Sequence, residues 1–227
     1  MLLTQPVKKS HRTKEEFVYD ILREAIVRCR LEPGAKLVMD TLSIELEVSP
    51  IPIRGALQRL QAEGLVEITP HTGATVSEIS PDTVNEIFVL LEALESAAVR
   101  AAATKVTKAD LAHLRHLVDK MTTALQAGDA DRWYDLNNQF HVFIARITEL
   151  KLLFEFTNRA LDSRDRLRHF YFESFISSRM SEAHEEHGLM IRLLENRDVE
   201  GLVALVAQHN RRAKEAYQTL IESRSNQ

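Results

Sequence analysis

The chain has 227 residues, 44% of them hydrophobic and 27% charged, which is typical of soluble globular domains. A single cysteine, Cys29, excludes an intrachain disulfide framework and a cysteine-type zinc site, and we interpret it as a small buried residue near a helix end. The formal net charge is −4, and residues 1–79 hold ten basic and eleven acidic side chains, so charge alone does not indicate a nucleic-acid partner. The chain shows neither a membrane-length apolar run nor a signal-peptide pattern, so we expect a cytoplasmic protein without a membrane partner.

The first part of the chain predicts a winged helix-turn-helix. Residues 1–12 carry three basic side chains and form either a solvated tail or an arm that contacts phosphates. Apolar residues that share a helix face then predict helices over 14–29 and 51–63, and a short helix fits 40–46, where Leu42, Ile44 and Leu46 are apolar. Ser49 is a favoured N-cap, and Gly64 suits the position after the last helical residue. Two alternating runs, 65–68 and 74–76, follow and predict a β-hairpin.

The second helix of such a motif enters the major groove, where its first residues face the bases. Arg54 is the strongest candidate, since a guanidinium can pair with a guanine edge or with phosphate. Arg59 faces solvent or a backbone phosphate, and His71 is either a solvated turn residue or a DNA contact. The predicted DNA-binding residues are Ser49, Ile51, Arg54, Arg59, His71, Thr72 and Gly73.

The rest of the chain is poor in glycine and proline, which predicts long helices in an antiparallel bundle. The predicted helices cover 82–104, 107–127, 130–149, 151–175, 178–195 and 198–223. Thr107 and Asp110 have the spacing of a capping box. We therefore predict a mainly α protein with a DNA-binding domain over 1–79 and an all-helical domain over 80–227.

Four side chains of the predicted bundle have the chemistry of a metal site. Asn137 and His141 are four residues apart and share a helix face, while His187 and His209 can lie level on an antiparallel helix pair. Three imidazoles and an oxygen donor suit zinc, nickel or a similar divalent ion. The alternative interpretation is that these histidines are ordinary core residues with satisfied hydrogen bonds.

Several segments resemble a known family of regulators. The run Leu31-Glu-Pro-Gly-Ala-Lys-Leu, the run from Val48 to Val66 and the wing Pro70-His-Thr-Gly-Ala-Thr-Val resemble the DNA-binding domain of the GntR superfamily. Glu95-Ser-Ala-Ala-Val-Arg, Asn137-x-x-Phe-His, Glu186-His187 and Asp198 with His209 resemble the FCD effector domain of its FadR-like branch. The resemblance implies that Asn137, His141, His187 and His209 are metal ligands.

The chain departs from the family pattern at positions that bear on both functions. Pro50, Ile51 and Gly55 stand where the family usually has Arg, Thr and Glu, which predicts altered DNA specificity, with Ile51 packing against a thymine methyl group. Leu91 stands where the family has an arginine that grips an effector carboxylate. The candidate substitutes are Arg164, Arg166 and Arg168, although a solvated basic face is an alternative role for them.

These features predict a ligand-responsive transcriptional regulator. We expect a homodimeric repressor that binds a palindromic double-stranded DNA operator and is released by a small organic acid bound at a zinc or nickel ion. One alternative is a metal-dependent enzyme that uses the three histidines, although common catalytic motifs are missing from the sequence. Another is a regulator whose metal is purely structural or is itself the signal.

Overall fold

The structure is a computed structural model that describes residues 13–69, 73–171 and 177–225. The chain forms two compact units, Met1–Ser80 with Asp165–Tyr171, and Pro81–Arg164 with Phe172–Gln227. The sequence predicts a boundary between residues 79 and 80, one residue before the boundary in the structure. The grouping of Asp165–Tyr171 with the first unit is not predicted from the sequence.

Between residues 13 and 76, the described part of the first unit forms three helices and three strands. They are α1 (Lys14–Val27), β1 (Lys36–Leu37), α2 (Met39–Leu46), α3 (Pro50–Ala62), β2 (Val66–Thr69) and β3 (Gly73–Val76). A reciprocal capping box of Thr13 and Glu16 begins α1, and Gly64, with φ +74°, follows the last turn of α3 as predicted. The core packs α1 against α3, with Leu22, Ile53 and Leu60 fully buried.

The three strands form an antiparallel sheet in the order β1-β3-β2. The hairpin predicted from the alternating runs forms, and it pairs Val66 with Val76 and Thr69 with Gly73. Strand β1, which pairs Lys36 with Thr75, is not predicted by the sequence analysis. Two residues are too few to show a periodicity of two, so only pairing with β3 makes this segment a strand.

The start of α3 and the end of α1 differ from expectation. Ser49 occupies the N-cap position but its side chain makes no capping hydrogen bond. One reason is that Pro52, at the third helical position, has no N–H that could donate a hydrogen bond to the hydroxyl. Cys29 follows α1 in a left-handed conformation, with φ +51°, and is half-buried rather than buried.

Among the described residues, six further helices with nearly the predicted bounds belong to the second unit, except for the end of the fourth of these helices, from Asp165, which groups with the first unit. They are α4 (Pro81–Lys105), α5 (Lys108–Gln126), α6 (Ala130–Ile147), α7 (Lys151–Tyr171), α8 (Ser177–Asn196) and α9 (Val199–Ser225). The capping box of Thr107 and Asp110 forms as predicted, while the predicted extension of α7 over 172–175 lies outside the described residues. Helix α4 packs against α6 and α9, and α8 packs against α5 and α9. Within the described residues, no helix has the length and apolar composition needed to span a bilayer.

Candidate metal centre and DNA-reading face

Three histidines from three helices meet inside the second unit. His141 comes from α6, His187 from α8 and His209 from α9, and all are at least 96% buried. One ring nitrogen from each lies within 4.8 Å of the other two, and Nε2 of His141 is 3.3 Å from Nε2 of His187. The structure therefore brings together the three imidazoles that the sequence analysis selects.

Buried carboxylates lie beside two of these rings. Nδ1 of His141 is 3.1 Å from Oε1 of Glu95, although this contact lacks hydrogen-bond geometry, and Oε2 of Glu95 accepts a hydrogen bond of 2.7 Å from the side-chain amide of Asn210. Nδ1 of His209 is hydrogen-bonded to Oε2 of Glu186 at 2.6 Å. When Nδ1–H donates to a carboxylate, as it can in this second contact, Nε2 presents its lone pair, which is the usual arrangement behind a metal-bound histidine.

Glu186 is the centre of a charged cluster at one side of the histidines. Its Oε2 also accepts a hydrogen bond of 2.8 Å from Nη2 of Arg179, and its Oε1 accepts one of 2.8 Å from Nη1 of Arg212. Burial by itself raises the pKa of Glu186, but the hydrogen bonds and charges of His209 and Arg179 outweigh burial and lower it to about 2. Glu186 is therefore a carboxylate at neutral pH.

The two histidines nearest each other are held neutral. Burial, followed by the neighbouring His187 and His209, lowers the pKa of His141 well below 6.5. Burial and then His209 lower the pKa of His187 in the same direction. Neutral imidazole is the form that binds a metal ion, so the site carries free lone pairs at neutral pH.

This donor set fits a divalent ion. Two nitrogens bound to one tetrahedral zinc, each at about 2.0–2.1 Å, would lie about 3.4 Å apart, close to the 3.3 Å between His141 and His187. Nδ1 of His187 is buried and has no hydrogen-bond partner among the described residues. Asn137 lies one turn before His141 on α6, is 3% exposed and can add an oxygen donor.

A small cavity of about 30 Å³ adjoins the histidines. Its described lining residues are Trp133, Tyr134, Asn137, Arg164, Arg179, Met180, Ala183, His209, Ala213 and Tyr217. Arg164 lines this cavity, whereas Arg166 and Arg168 are buried but are not among its described lining residues. Leu91 is fully buried in the core. Arg179, which the sequence analysis does not single out, lies on α8, the helix after that of Arg164, and reaches the same cavity only through packing.

The exposed side of α3 forms a separate candidate surface. Ile53, Leu57 and Leu60 are buried, which leaves Ile51, Arg54 and Gln58 on the opposite, exposed face. Ile51 is 80% exposed, and Arg54 forms no hydrogen bond or ion pair with any described residue. Gln58 is missed by the sequence analysis, although its spacing of four from Arg54 is a signal that would have found it.

The other predicted DNA-binding residues have different surroundings. The guanidinium of Arg59 lies 3.6 Å above the ring of Tyr19 and 3.8 Å from a carboxylate oxygen of Glu63, with half of its side chain exposed. Ser49 is exposed, and Gly73 begins β3 with φ +107°. His71, Thr72 and the basic arm with Lys8, Lys9 and Arg12 lie outside the described residues.

Each of the two parts of the chain matches a known protein family. Residues 14–76 match the family described as "Bacterial regulatory proteins, gntR family", and residues 86–212 match the FCD domain. The chain is 26% identical over 222 residues to the HTH-type transcriptional repressor RspR of Escherichia coli, which covers 98% of this chain and 93% of that protein. It is 29% identical over 171 residues to the regulator McbR of E. coli, covering 75% and 77% of the two chains.

A solved structure titled "E. coli McbR/YncC" has a TM-score of 0.79 and 26% identity, and covers 92% of this chain and 99% of that one. The matched families and relatives are transcription regulators and not enzymes, so the alternative of a metal-dependent enzyme does not describe this chain. The fold, the matched domains and these relatives show that the chain belongs to the GntR family of bacterial transcriptional regulators and carries an FCD effector-binding domain.

Proposed function

We propose that this regulator is a cytoplasmic, homodimeric repressor that leaves its operator when a small organic acid binds beside a divalent metal ion. The convergence of His141, His187 and His209 is the observation that carries the proposal. RspR, which is similar over nearly the whole chain, is named a repressor, and this supports repression rather than activation.

Asn137 and the three histidines would hold the ion, with zinc or nickel favoured by the nitrogen-rich donor set. Bound there, the ion would supply positive charge and open positions for a carboxylate. Glu186 is hydrogen-bonded to His209 and Glu95 places negative charge beside His141, while neutral Asn137 leaves the site one charge more positive than an aspartate would.

The metal part of the proposal is tested by elemental analysis of purified protein after incubation with zinc or nickel and desalting. We expect close to one ion per chain in the wild type and a loss of most of it in His187→Ala. The matched control is His116→Ala, which removes an exposed histidine of α5. Equal metal content in all three proteins would refute the site.

The regulatory part is tested by selecting DNA fragments from a genomic pool with the full-length protein. We expect an enriched inverted repeat, since a two-fold symmetric dimer presents two reading helices to two half-sites. Sedimentation velocity on the same protein, with and without the enriched fragment, measures its oligomeric state. A monomer that enriches a single half-site would contradict the dimeric part of the proposal.

A further inference from the structure

One wall of the cavity beside the histidines holds an arginine whose hydrogen-bonding capacity is only partly used. Arg179 is 8% exposed, and its Nη2 donates to Oε2 of Glu186 at 2.8 Å and to the backbone oxygen of His209 at 3.1 Å. Its Nε and Nη1 have no hydrogen-bond partner among the described residues. Nη1 lies 3.8 Å from an oxygen of Glu182, beyond hydrogen-bond distance.

A second unused donor lines the same cavity. Trp133 is 2% exposed, and its indole Nε1–H, which can only donate, has no partner among the described residues. Arg164 adds a second guanidinium to the lining, with Nη2 bonded to the side chain of Asn138. The described lining residues include no carboxylate. A buried donor without an acceptor costs free energy, so this wall favours a ligand that brings acceptor oxygens and negative charge.

Part of the lining has the opposite character. Met180, Ala183 and Ala213 offer no hydrogen bond from their side chains, and the other lining residues are Asn137, His209 and the rings of Tyr134 and Tyr217. A ligand with many hydroxyl groups would bury some of them against these methyl and methylene groups without a partner. The cavity of about 30 Å³ has room for only a water or two, so a bound acid must displace lining side chains, and a compact acid displaces them least.

We propose that the effector of this regulator is a compact monocarboxylate with an apolar body, whose carboxylate accepts hydrogen bonds from Arg179 and Trp133. Short branched aliphatic and simple aromatic carboxylates belong to this class, and polyhydroxylated acids do not. This inference rests on the proposed function in one respect, that the FCD domain binds an organic acid next to the histidine cluster.

The test is isothermal titration of the full-length, zinc-treated protein with four probes: isobutyrate, benzoate, gluconate and citrate. We expect isobutyrate or benzoate to bind more tightly than gluconate and citrate. Arg179→Gln should weaken that binding by about ten- to a hundredfold and Trp133→Phe by about two- to tenfold, because each removes a donor to the carboxylate. Arg192→Gln, on an exposed position of α8, is the matched control and should bind like the wild type.

Circular dichroism and zinc content of each variant separate lost ligand contacts from lost fold, and Arg179→Lys replaces Arg179→Gln if the latter does not fold. Unchanged affinity in both the Arg179 and Trp133 variants would overturn the subsite, and tighter binding of gluconate or citrate would overturn the ligand class. A wild type that holds zinc and binds its operator but none of the four acids overturns this inference alone. A wild type that binds isobutyrate through Arg179 but holds no metal overturns the metal part of the proposed function instead.

Discussion

Two arginines of α3, five positions apart, have different surroundings. Arg59 stacks on Tyr19 and lies near Glu63, whose carboxylate accepts a hydrogen bond of 2.8 Å from the Tyr19 hydroxyl. Burial, the Glu63 hydrogen bond and the Glu63 charge raise the pKa of Tyr19 to about 12, so that hydroxyl remains a donor. Arg59 therefore ties α3 to α1, whereas Arg54 is exposed and has no described partner.

Arg54→Ala is expected to weaken operator binding by about ten- to a hundredfold, the contribution of one bidentate arginine–guanine pair. Fluorescence anisotropy on the selected operator at fixed salt measures this loss. Arg132→Ala removes the same charge from an exposed position of α6 and controls for net charge. Full operator affinity in Arg54→Ala would remove this residue from the reading face.

Glu95→Gln is expected to lower zinc affinity by about ten- to a hundredfold, because the neutral amide removes the negative charge that lies 3.1 Å from the imidazole of His141. Competition with a coloured chelator gives the affinity directly. Glu86→Gln, at an exposed position of the same helix, should bind zinc like the wild type. An unaltered affinity in Glu95→Gln would show that this carboxylate does not support a metal ligand.

At the scale of whole elements, the helix starts differ in how their free N–H groups are satisfied. The hydroxyl of Thr107 accepts from the backbone N–H of Asp110, and the carboxylate of Asp110 accepts from the N–H of Thr107 at 2.9 Å. At the start of α3 the Ser49 hydroxyl accepts no such bond, so this hydroxyl remains available to a phosphate.

Thr107→Ala is expected to lower the free energy of unfolding by about 1 kcal/mol, the usual cost of losing an N-cap side chain. Urea denaturation followed by circular dichroism measures the change. Thr123→Ala, at an exposed position within α5, is the control and should be neutral or slightly stabilising, because alanine is the better helix former. Equal destabilisation by the two substitutions would contradict a specific role for the cap.

For the molecule as a whole, the buried histidines link stability to pH. The pKa of His141 and of His187 is lowered well below 6.5 in the folded protein, so below about pH 6.5 the unfolded chain binds more protons than the folded one. The stability of the metal-free protein should therefore fall as the pH is lowered below about 6.5.

The check is the urea midpoint of chelator-treated protein at pH 7.5 and pH 5.5. We expect a lower midpoint at pH 5.5 in the wild type and a smaller difference in His187→Gln, which removes one of the groups that must stay neutral. His116→Gln should retain the wild-type difference because His116 is exposed. A wild-type midpoint that does not fall would contradict this linkage.

Local patterns in the sequence determine the helices and the hairpin, because periodicities of 3.6 and 2 and the capping residues act within a few positions. The helical periodicity of 3.6 also places Asn137 and His141 on one face of α6, and it places Gln58 on the exposed face of α3. The tertiary structure alone decides that β1 becomes a strand, since its two residues carry no pattern and need β3 as a partner.

The partners of the site also come only from packing. Glu95 of α4 lies 46 positions before His141 of α6, and Glu186 of α8 reaches His209 of α9. Contacts between side chains of different helices depend on how the helices dock, and spacing along a chain cannot encode docking. The sequence by itself therefore selected the three imidazoles, and the fold decided which carboxylates lie beside them and which donors face the adjoining cavity.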